Sequence, residues 1–183
     1  MLDQIRTFFN LPPENINENG IKIDKIQTIR LDKVSYKYQG KQEYALKNIT
    51  LDLNAGEFAI FMGNNGSGKT TLVKIIMGIH SDYSGTVLIN GYDLRELNLT
   101  QYRQKASALF QNYIKYESSI EKDIGYGNIC EQSDPRRIKE ILEKVQLDEY
   151  SDHLSQVLGY QFQDGTQMSI GQWQKLALGR VLY

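Results

Sequence analysis

The sequence predicts an α/β protein whose central unit is a buried strand, a glycine-rich loop and a helix. The mostly apolar run 57–62 has the length and composition of a buried strand. Helical spacing follows it at Leu72, Ile75, Ile76 and Ile79. Near-alternating apolar residues precede the unit, which indicates antiparallel strands, and helical patterns dominate after residue 118.

The first 27 residues are predicted to be a linker. Apolar side chains stand at near-helical spacing over residues 1–10, and Pro12 and Pro13 end that pattern. Residues 14–20 are polar and rich in asparagine, as in a connecting segment. A flexible N-terminal tail is an equally good interpretation of the composition.

Four further strands follow from apolar periodicity. Residues 28–38 nearly alternate between apolar and polar, with one slip, which predicts a half-buried strand with a bulge. A second strand is predicted over 49–53 and is closed by the turn 54–56. Shorter apolar runs predict strands over 86–89 and 108–110.

The helices are predicted from their start signals and apolar faces. Residues 98–105 and 119–124 are short helical candidates. Pro135 suits the first turn of a helix that runs to about Lys144 and carries one apolar face. Another helix is predicted after Gln172.

The loop between the central strand and helix matches G-x-x-x-x-G-K-[ST], the phosphate-binding P-loop pattern. Its glycines let the backbone approach a polyphosphate and turn N–H groups towards it, and the helix N-terminus adds positive potential. Lys69 would reach the β- and γ-phosphates, and the Thr70 hydroxyl would ligate Mg²⁺. The residues expected to contact the nucleotide here are Gly63, Asn64, Asn65, Gly66, Ser67, Gly68, Lys69, Thr70 and Thr71.

Composition narrows the function classes. The net charge of −1 gives no footprint for nucleic acid or an anionic membrane. Cys130 is the only cysteine, which excludes internal disulfides and cysteine-rich metal sites. His80 and His153 are too isolated to form a metal site, and we expect both at the surface. The sequence has no apolar run of transmembrane length and no signal peptide at its start.

A second motif places the chain in a family. Residues 168–172 read Met-Ser-Ile-Gly-Gln ahead of a helix, and Phe110-Gln111 follows the P-loop. With these motifs the chain resembles the nucleotide-binding domain of an ABC transporter from about residue 28 to 183. The resemblance implies a RecA-like P-loop NTPase core with an N-terminal antiparallel β-subdomain and a helical subdomain over about 112–170. It also implies that the C-terminal part of the core is missing.

The resemblance assigns roles to the matching residues. Tyr38 stands where the family stacks an aromatic ring on adenine. Gln111 stands at the Q-loop glutamine, which touches Mg²⁺ and the attacking water, so it joins Lys69 as a catalytic residue and Thr70 as a metal ligand. Further contacts are implied with the ATP of a second nucleotide-binding domain in a head-to-tail dimer, from Ser169, Gly171 and Gln172. Ile170 departs from the usual glycine, which puts close backbone approach there in doubt.

A finer resemblance is to exporters of lantibiotic or bacteriocin peptides, which commonly carry Trp-Gln-Lys after the signature, as residues 173–175 do. It implies a transmembrane domain in the same parent chain, with the ATP-binding domain at the cytoplasmic face of a bacterial membrane. The transported substrate, a peptidase domain and the choice between homodimer and heterodimer are not indicated.

The family's Walker B aspartate, catalytic glutamate and switch histidine lie beyond the signature. We expect the 183-residue chain alone to show no significant ATP turnover, because the water would lack its base. Three alternatives stay open. They are a soluble ABC ATPase of the DNA-repair kind, an inactive nucleotide-binding module and a small-molecule kinase. Between Gln111 and Ser169 there are no heptads and no cysteine pairs, which disfavours the first.

Overall fold

The computed structural model describes residues 9–10, 17–130, 132–162 and 164–183. Its contacts divide the chain into two compact units, with the boundary between Ser107 and Ala108. Each unit is described by itself below. The predicted helical pattern over residues 1–10 lies almost entirely outside the described residues. In the described part of the chain, no helix is both long and apolar enough to span a bilayer.

A four-stranded antiparallel sheet forms the first unit's framework, in the order β2-β1-β3-β4. Its strands are β1 (Thr28–Tyr36), β2 (Leu46–Asn54), β3 (Ser84–Ile89) and β4 (Tyr92–Asp93). The strands predicted over 28–38, 49–53 and 86–89 are therefore confirmed. All three strands could be predicted from the sequence because one face of each is apolar, as expected for an antiparallel sheet.

The predicted bulge in β1 is also confirmed. The pairing of β1 with β2 slips between Leu31 and Val34, and Lys33 adopts a left-handed conformation with φ of 50°. Opposite the bulge, Gly85 has φ of 86°, and a Cβ there would lie 2.5 Å from the Lys33 carbonyl oxygen. The bulge therefore depends on a glycine in the neighbouring strand.

The strand predicted over 57–62 is not formed. Among the described residues, this segment has no strand hydrogen-bonded to it, and Phe58 and Met62 are 89% and 87% exposed. A strand requires a neighbouring backbone to pair its N–H and C=O groups, so apolar composition alone does not produce one. A cleft of about 430 Å³ separates β2 from residues 60–62 and reaches Gly68 and Lys69.

Helix α1 (Lys69–Ile76) packs its apolar face against the sheet. Leu72 and Ile75 are buried with Leu31, Val34 and Val87 in the core of the first unit. Burial of each such side chain contributes about 1.5–3 kcal/mol, so the sheet and the helix fix the loop that joins them.

The segment ahead of β1 packs onto the same unit. Ile21 forms a parallel bridge with Leu97, and Ile23 is buried in the core. A 3-10 turn (Leu94–Glu96) and helix α2 (Leu99–Arg103) follow β4. Helix α2 is capped by the Asn98 side chain and confirms the helix predicted over 98–105, although it is shorter.

The second unit is helical. It contains α3 (Ile120–Gly125), α4 (Pro135–Lys144), a 3-10 turn (Asp148–Tyr150) and α5 (Ile170–Leu182). The strand predicted over 108–110 is wrong, because no backbone pairs with it among the described residues. The three predicted helices are confirmed. Asp134 caps α4 and Pro135 occupies its first turn, which are the start signals that the sequence carried.

A buried ion pair joins α5 to the beginning of this unit. Arg180 Nε lies 3.1 Å from Asp123 Oδ1, and the Asp123 side chain is fully buried. The same guanidinium donates a hydrogen bond of 2.6 Å to the Ile114 carbonyl and lies over the Tyr116 ring at 4.7 Å. Burial raises the pKa of Asp123 to about 6, although the Arg180 charge opposes the shift.

Candidate nucleotide-binding site

The glycine-rich loop wraps around the N-terminus of α1. Gly66 and Gly68 have φ of 82° and 89°, in the left-handed region that other residues rarely adopt. Gly68 is the N-cap of the helix, and no side chain caps it. Within the part of the chain that the structure describes, the cap residue therefore offers the first N–H groups of α1 no side-chain partner, as required for an anion-binding terminus.

Steric contacts make Gly68 indispensable. A Cβ at this position would lie 2.3 Å from the Ala45 carbonyl oxygen and 2.7 Å from Leu46 Cδ2. At Gly66, by contrast, a Cβ would meet nothing within 4 Å. The loop thus passes close to the start of β2 at Gly68, whereas the space around Gly66 is open. Such an open, glycine-lined backbone fits a polyphosphate, which needs N–H groups without side chains in front of them.

The Lys69 ammonium is folded back over the loop. It donates hydrogen bonds to the Gly63 carbonyl (2.7 Å), the Asn64 carbonyl (2.8 Å) and Ser67 Oγ (3.2 Å). These bonds use all three donors of an ammonium group. The positive charge is therefore held inside the loop by acceptors that a phosphate oxygen can replace.

Tyr38 lies beside this helix. Its hydroxyl is 3.0 Å from the Thr71 hydroxyl, and Thr71 is buried in the first turn of α1. The Tyr38 ring makes perpendicular contacts with Tyr36 (centroids 5.0 Å apart, 85°) and His80 (5.6 Å, 90°). The structure thus brings Tyr38 and Thr71 together, as their predicted place in one site requires.

His80 differs from the expectation that both histidines are surface residues. It is half-buried, and its ring is stacked on Tyr36 with the centroids 4.7 Å apart. Burial lowers the pKa of His80 below its usual value, and the Lys74 charge adds to the shift, so the neutral imidazole is favoured. This packing could not be predicted from the sequence, because it depends on how β1 and the segment after α1 come together in the fold. His153 is exposed, as expected.

The signature residues form the N-terminus of α5. Ser169 is the N-cap, and its Oγ accepts a hydrogen bond from the Gln172 N–H (3.2 Å). In return, Gln172 Oε1 accepts one from the Ser169 N–H (2.8 Å), which completes a capping box. Because Ser169 Oγ acts only as an acceptor in this box, its proton is available for another ligand.

Three residues that the sequence analysis missed support this helix end. Gln172 Nε2 donates to Glu149 Oε1 (2.9 Å) and approaches the Tyr150 hydroxyl (3.4 Å). The Tyr113 hydroxyl donates to the Ile170 carbonyl (3.1 Å). The Ser-x-x-Gln spacing could have predicted the capping box, whereas these contacts come from distant parts of the chain.

The positions around the unusual Ile170 are open. Its side chain is 76% exposed, so it points away from the core of the second unit. A Cβ on Gly171 would come no closer than 4.0 Å to the Ser169 hydroxyl. The isoleucine is therefore accommodated without distortion of α5.

Gln111 is exposed and lies in the second unit, whereas Thr70 lies in the first. The predicted pair of Mg²⁺ ligands is thus divided between the two units, and its assignment stays a prediction. Within the described ranges, no group of three or more His, Cys, Asp or Glu side chains could hold a metal ion.

A glycine-rich loop that caps a helix packed on a sheet, with a lysine over the loop, defines a P-loop nucleotide-binding protein. Comparison with known proteins narrows the class. Residues 46–183 match the family described as ABC transporter, which is well over half of the chain. The chain therefore belongs to the ABC transporter family, as its resemblance indicated.

Two relatives are named for the transport of subtilin and of nisin. The subtilin transport ATP-binding protein SpaT of Bacillus subtilis is 34% identical over 189 residues, covering 100% of this chain and 30% of that protein. The nisin transport ATP-binding protein NisT of Lactococcus lactis subsp. lactis is 37% identical over 177 residues, covering 93% and 29%. The chain thus spans about 30% of the length of these relatives.

A solved structure supports the fold. A bacterial Atm1-family ABC exporter with ATP bound superposes with a TM-score of 0.83 at 18% identity, covering 100% of this chain and 32% of that one. The α/β fold class predicted from the sequence is therefore confirmed.

Proposed function

We propose that this chain is the ATP-binding domain of a bacterial ABC exporter that moves a peptide across the membrane. The observation that carries the proposal is the similarity, over almost the whole chain, to proteins named for subtilin and nisin transport. The geometry of the glycine-rich loop agrees with it, because the loop can hold a triphosphate and the helix N-terminus attracts one.

The residues of the first unit would bind ATP. Loop N–H groups and the N-terminus of α1 bond the phosphate oxygens, and Lys69 exchanges its carbonyl partners for the β- and γ-phosphates. Thr70 supplies a hydroxyl to Mg²⁺, and Tyr38 stacks on the base. ATP, when bound with Mg²⁺, supplies a phosphoryl group whose transfer to water releases free energy.

The residues of the second unit would complete a site in a partner domain. In a head-to-tail dimer, Ser169 donates its remaining hydroxyl proton to a phosphate oxygen of the opposite nucleotide, while Gly171 lets the backbone approach. Gln172 holds Ser169 through the capping box. Gln111 would act in the chain's own site instead, with Lys69 and Thr70, where it would orient water near Mg²⁺ and couple that site to a transmembrane domain of the same parent protein at the cytoplasmic face.

The domain boundaries belong to the same proposal. We assign residues 1–27 to the connection from the transmembrane domain, 28–183 to the ATP-binding domain and about 112–170 to its helical subdomain. ATP hydrolysis is an activity of the full-length protein, and its transported substrate is proposed to be a peptide.

The test uses the full-length protein and a fluorescent ATP analogue. Lys69→Ala should weaken binding by about 100-fold and abolish steady-state phosphate release, because the charge over the loop is lost. Lys74→Ala, on the same helix but outside the loop, is the matched control and should change neither. Equal binding of the analogue by the unmodified protein and the Lys69→Ala variant would refute the site.

The peptide assignment needs a separate measurement. Full-length protein in vesicles should accumulate a lantibiotic-type peptide in the presence of ATP, and Lys69→Ala should stop this. ATP hydrolysis that persists without any peptide movement would leave the ATPase assignment intact and would contradict the assignment of a peptide as the transported substrate.

A further inference from the structure

The Tyr38 side chain is held at both ends although it is partly exposed. Its ring rests edge to face against Tyr36 and His80, and its hydroxyl meets Thr71 at 3.0 Å. The side chain keeps 38% of its surface exposed. Both aromatic contacts in the described part of the chain are perpendicular, so neither neighbour is stacked on the Tyr38 ring.

The hydroxyl contact connects two parts of the first unit that are separate in sequence. Tyr38 follows β1, whereas Thr71 is buried in the first turn of α1, directly after the P-loop. A threonine hydroxyl has one donor and two acceptor positions. When Tyr38 is the donor, Thr71 keeps its own proton for a phosphate oxygen, so the two functions of Thr71 do not compete.

We propose that the Tyr38 hydroxyl is a latch on helix α1 that fixes the ring in the orientation on which a nucleotide base stacks. The inference rests on the proposed function, since it presumes that a nucleotide occupies the loop. It makes Thr71 a positioning residue for the base as well as a neighbour of the phosphates.

The physical reason for a latch is entropy. A partly exposed aromatic side chain without a polar anchor samples several rotamers, and fixing one of them when the ligand binds reduces affinity. A hydrogen bond to a helix that already bears the phosphate loop removes that loss before the ligand arrives. Phenylalanine could stack on a base equally well but would have no anchor.

The test compares a ligand with a base and a ligand without one. Affinities of the full-length protein for ATP and for inorganic tripolyphosphate are measured by competition against a fluorescent ATP analogue. Tyr38→Phe should weaken ATP binding about fivefold and leave tripolyphosphate binding unchanged. Tyr44→Phe is the matched control, because this tyrosine is 56% exposed, and should change neither affinity.

Changes at Thr71 make the test specific. Thr71→Val should lower the ratio of ATP to tripolyphosphate affinity as much as Tyr38→Phe does, and Thr71→Ser should preserve it because the hydroxyl is kept. The double variant Tyr38→Phe/Thr71→Val should lower the ratio no further than either single change. Additive effects on the ratio would overturn the latch.

Other outcomes would also contradict the proposal, in distinguishable ways. Unchanged ATP binding in Tyr38→Phe, or an equal loss for both ligands, overturns the latch while the proposed function stands. Unchanged ATP binding in Tyr38→Ala removes the stacking role itself. Unchanged binding of both ligands in Lys69→Ala means that the proposed site is wrong, and the latch with it.

Discussion

The N-termini of helices α1 and α5 both carry the motif residues of this protein, but they are built differently. At α1 the cap is Gly68, which has no side chain and adopts a left-handed conformation. At α5 the cap is Ser169, which is held by Gln172 in a capping box. One helix end thus leaves its N–H groups open for a ligand, and the other satisfies two of them internally.

The two kinds of cap differ in what each helix N-terminus can bind. The open end at α1 depends on backbone shape, so only glycine suits it and the ligand must supply all the negative charge. The capped end at α5 is fixed by side chains from three other positions, namely Tyr113, Glu149 and Tyr150. It is already ordered before any ligand arrives, and it can offer one hydroxyl proton at a defined place.

The largest expected effect would break the open end. Gly68→Ala should destabilise the protein by about 4 kcal/mol, because the Cβ meets the Ala45 carbonyl and the backbone is strained. Gly66→Ala has the strain without the collision and should cost about 1 kcal/mol. Melting temperatures of both full-length variants measure the difference. Equal losses would show that close packing at Gly68 does not hold the loop.

The next effect concerns the ion pair that anchors α5. Because the folded pKa of Asp123 is raised to about 6, the folded state keeps a proton that the unfolded state loses near pH 4. Stability therefore falls as pH rises from 4 to 6, by about 3 kcal/mol in total, and is constant above that range.

Asp123→Asn should remove this decrease in stability. The melting temperature of the variant should therefore rise relative to that of the unmodified protein as the pH increases from 4 to 6. The control is Asp152→Asn, since the Lys139 ammonium lowers the pKa of this exposed carboxyl, which gives a slope of the opposite sign and places it below about pH 4. Parallel pH profiles for the unmodified protein and Asp123→Asn would contradict the assignment.

The smallest effect would sharpen the comparison at the capped end. Gln172→Ala removes the capping-box acceptor and the bond to Glu149, which should cost about 1 kcal/mol of local stability. Hydrogen exchange of the amides at 169–173 should accelerate about fivefold. Gln174→Ala, exposed on the same helix, should leave exchange unchanged. Unaltered exchange in Gln172→Ala would show that the box does not stabilise the helix end.

Much of the fold could be predicted because its signals are local. The alternation in β1, the Pro135 start of α4 and the P-loop glycines each reflect a conformation decided within a few residues. The predicted strands over 57–62 and 108–110 failed because strand formation depends on a partner backbone, which apolar composition does not report.

The candidate site, like the fold, could be predicted only in part. Its motif residues were recognisable, whereas the support from Glu149 and Tyr113 was not, because each reaches the signature from a remote part of the chain. His80 was misjudged for the same reason, since only the folded chain places it against Tyr36. The roles towards ATP that are assigned to the motif residues stay predictions.

The bulge at Lys33 has a consequence for how the sequence tolerates length changes. Before it, Leu31 faces inward at an odd position, and after it Val34 and Tyr36 face inward at even positions. Inserting one further residue beside Lys33 would reverse the phase of the rest of the strand and turn Tyr36 towards solvent, whereas deleting Lys33 would leave that phase unchanged. Tyr38 would then lose its contact with the Tyr36 ring, so the single extra residue at the bulge determines the support of the side chain that we propose to stack on the base.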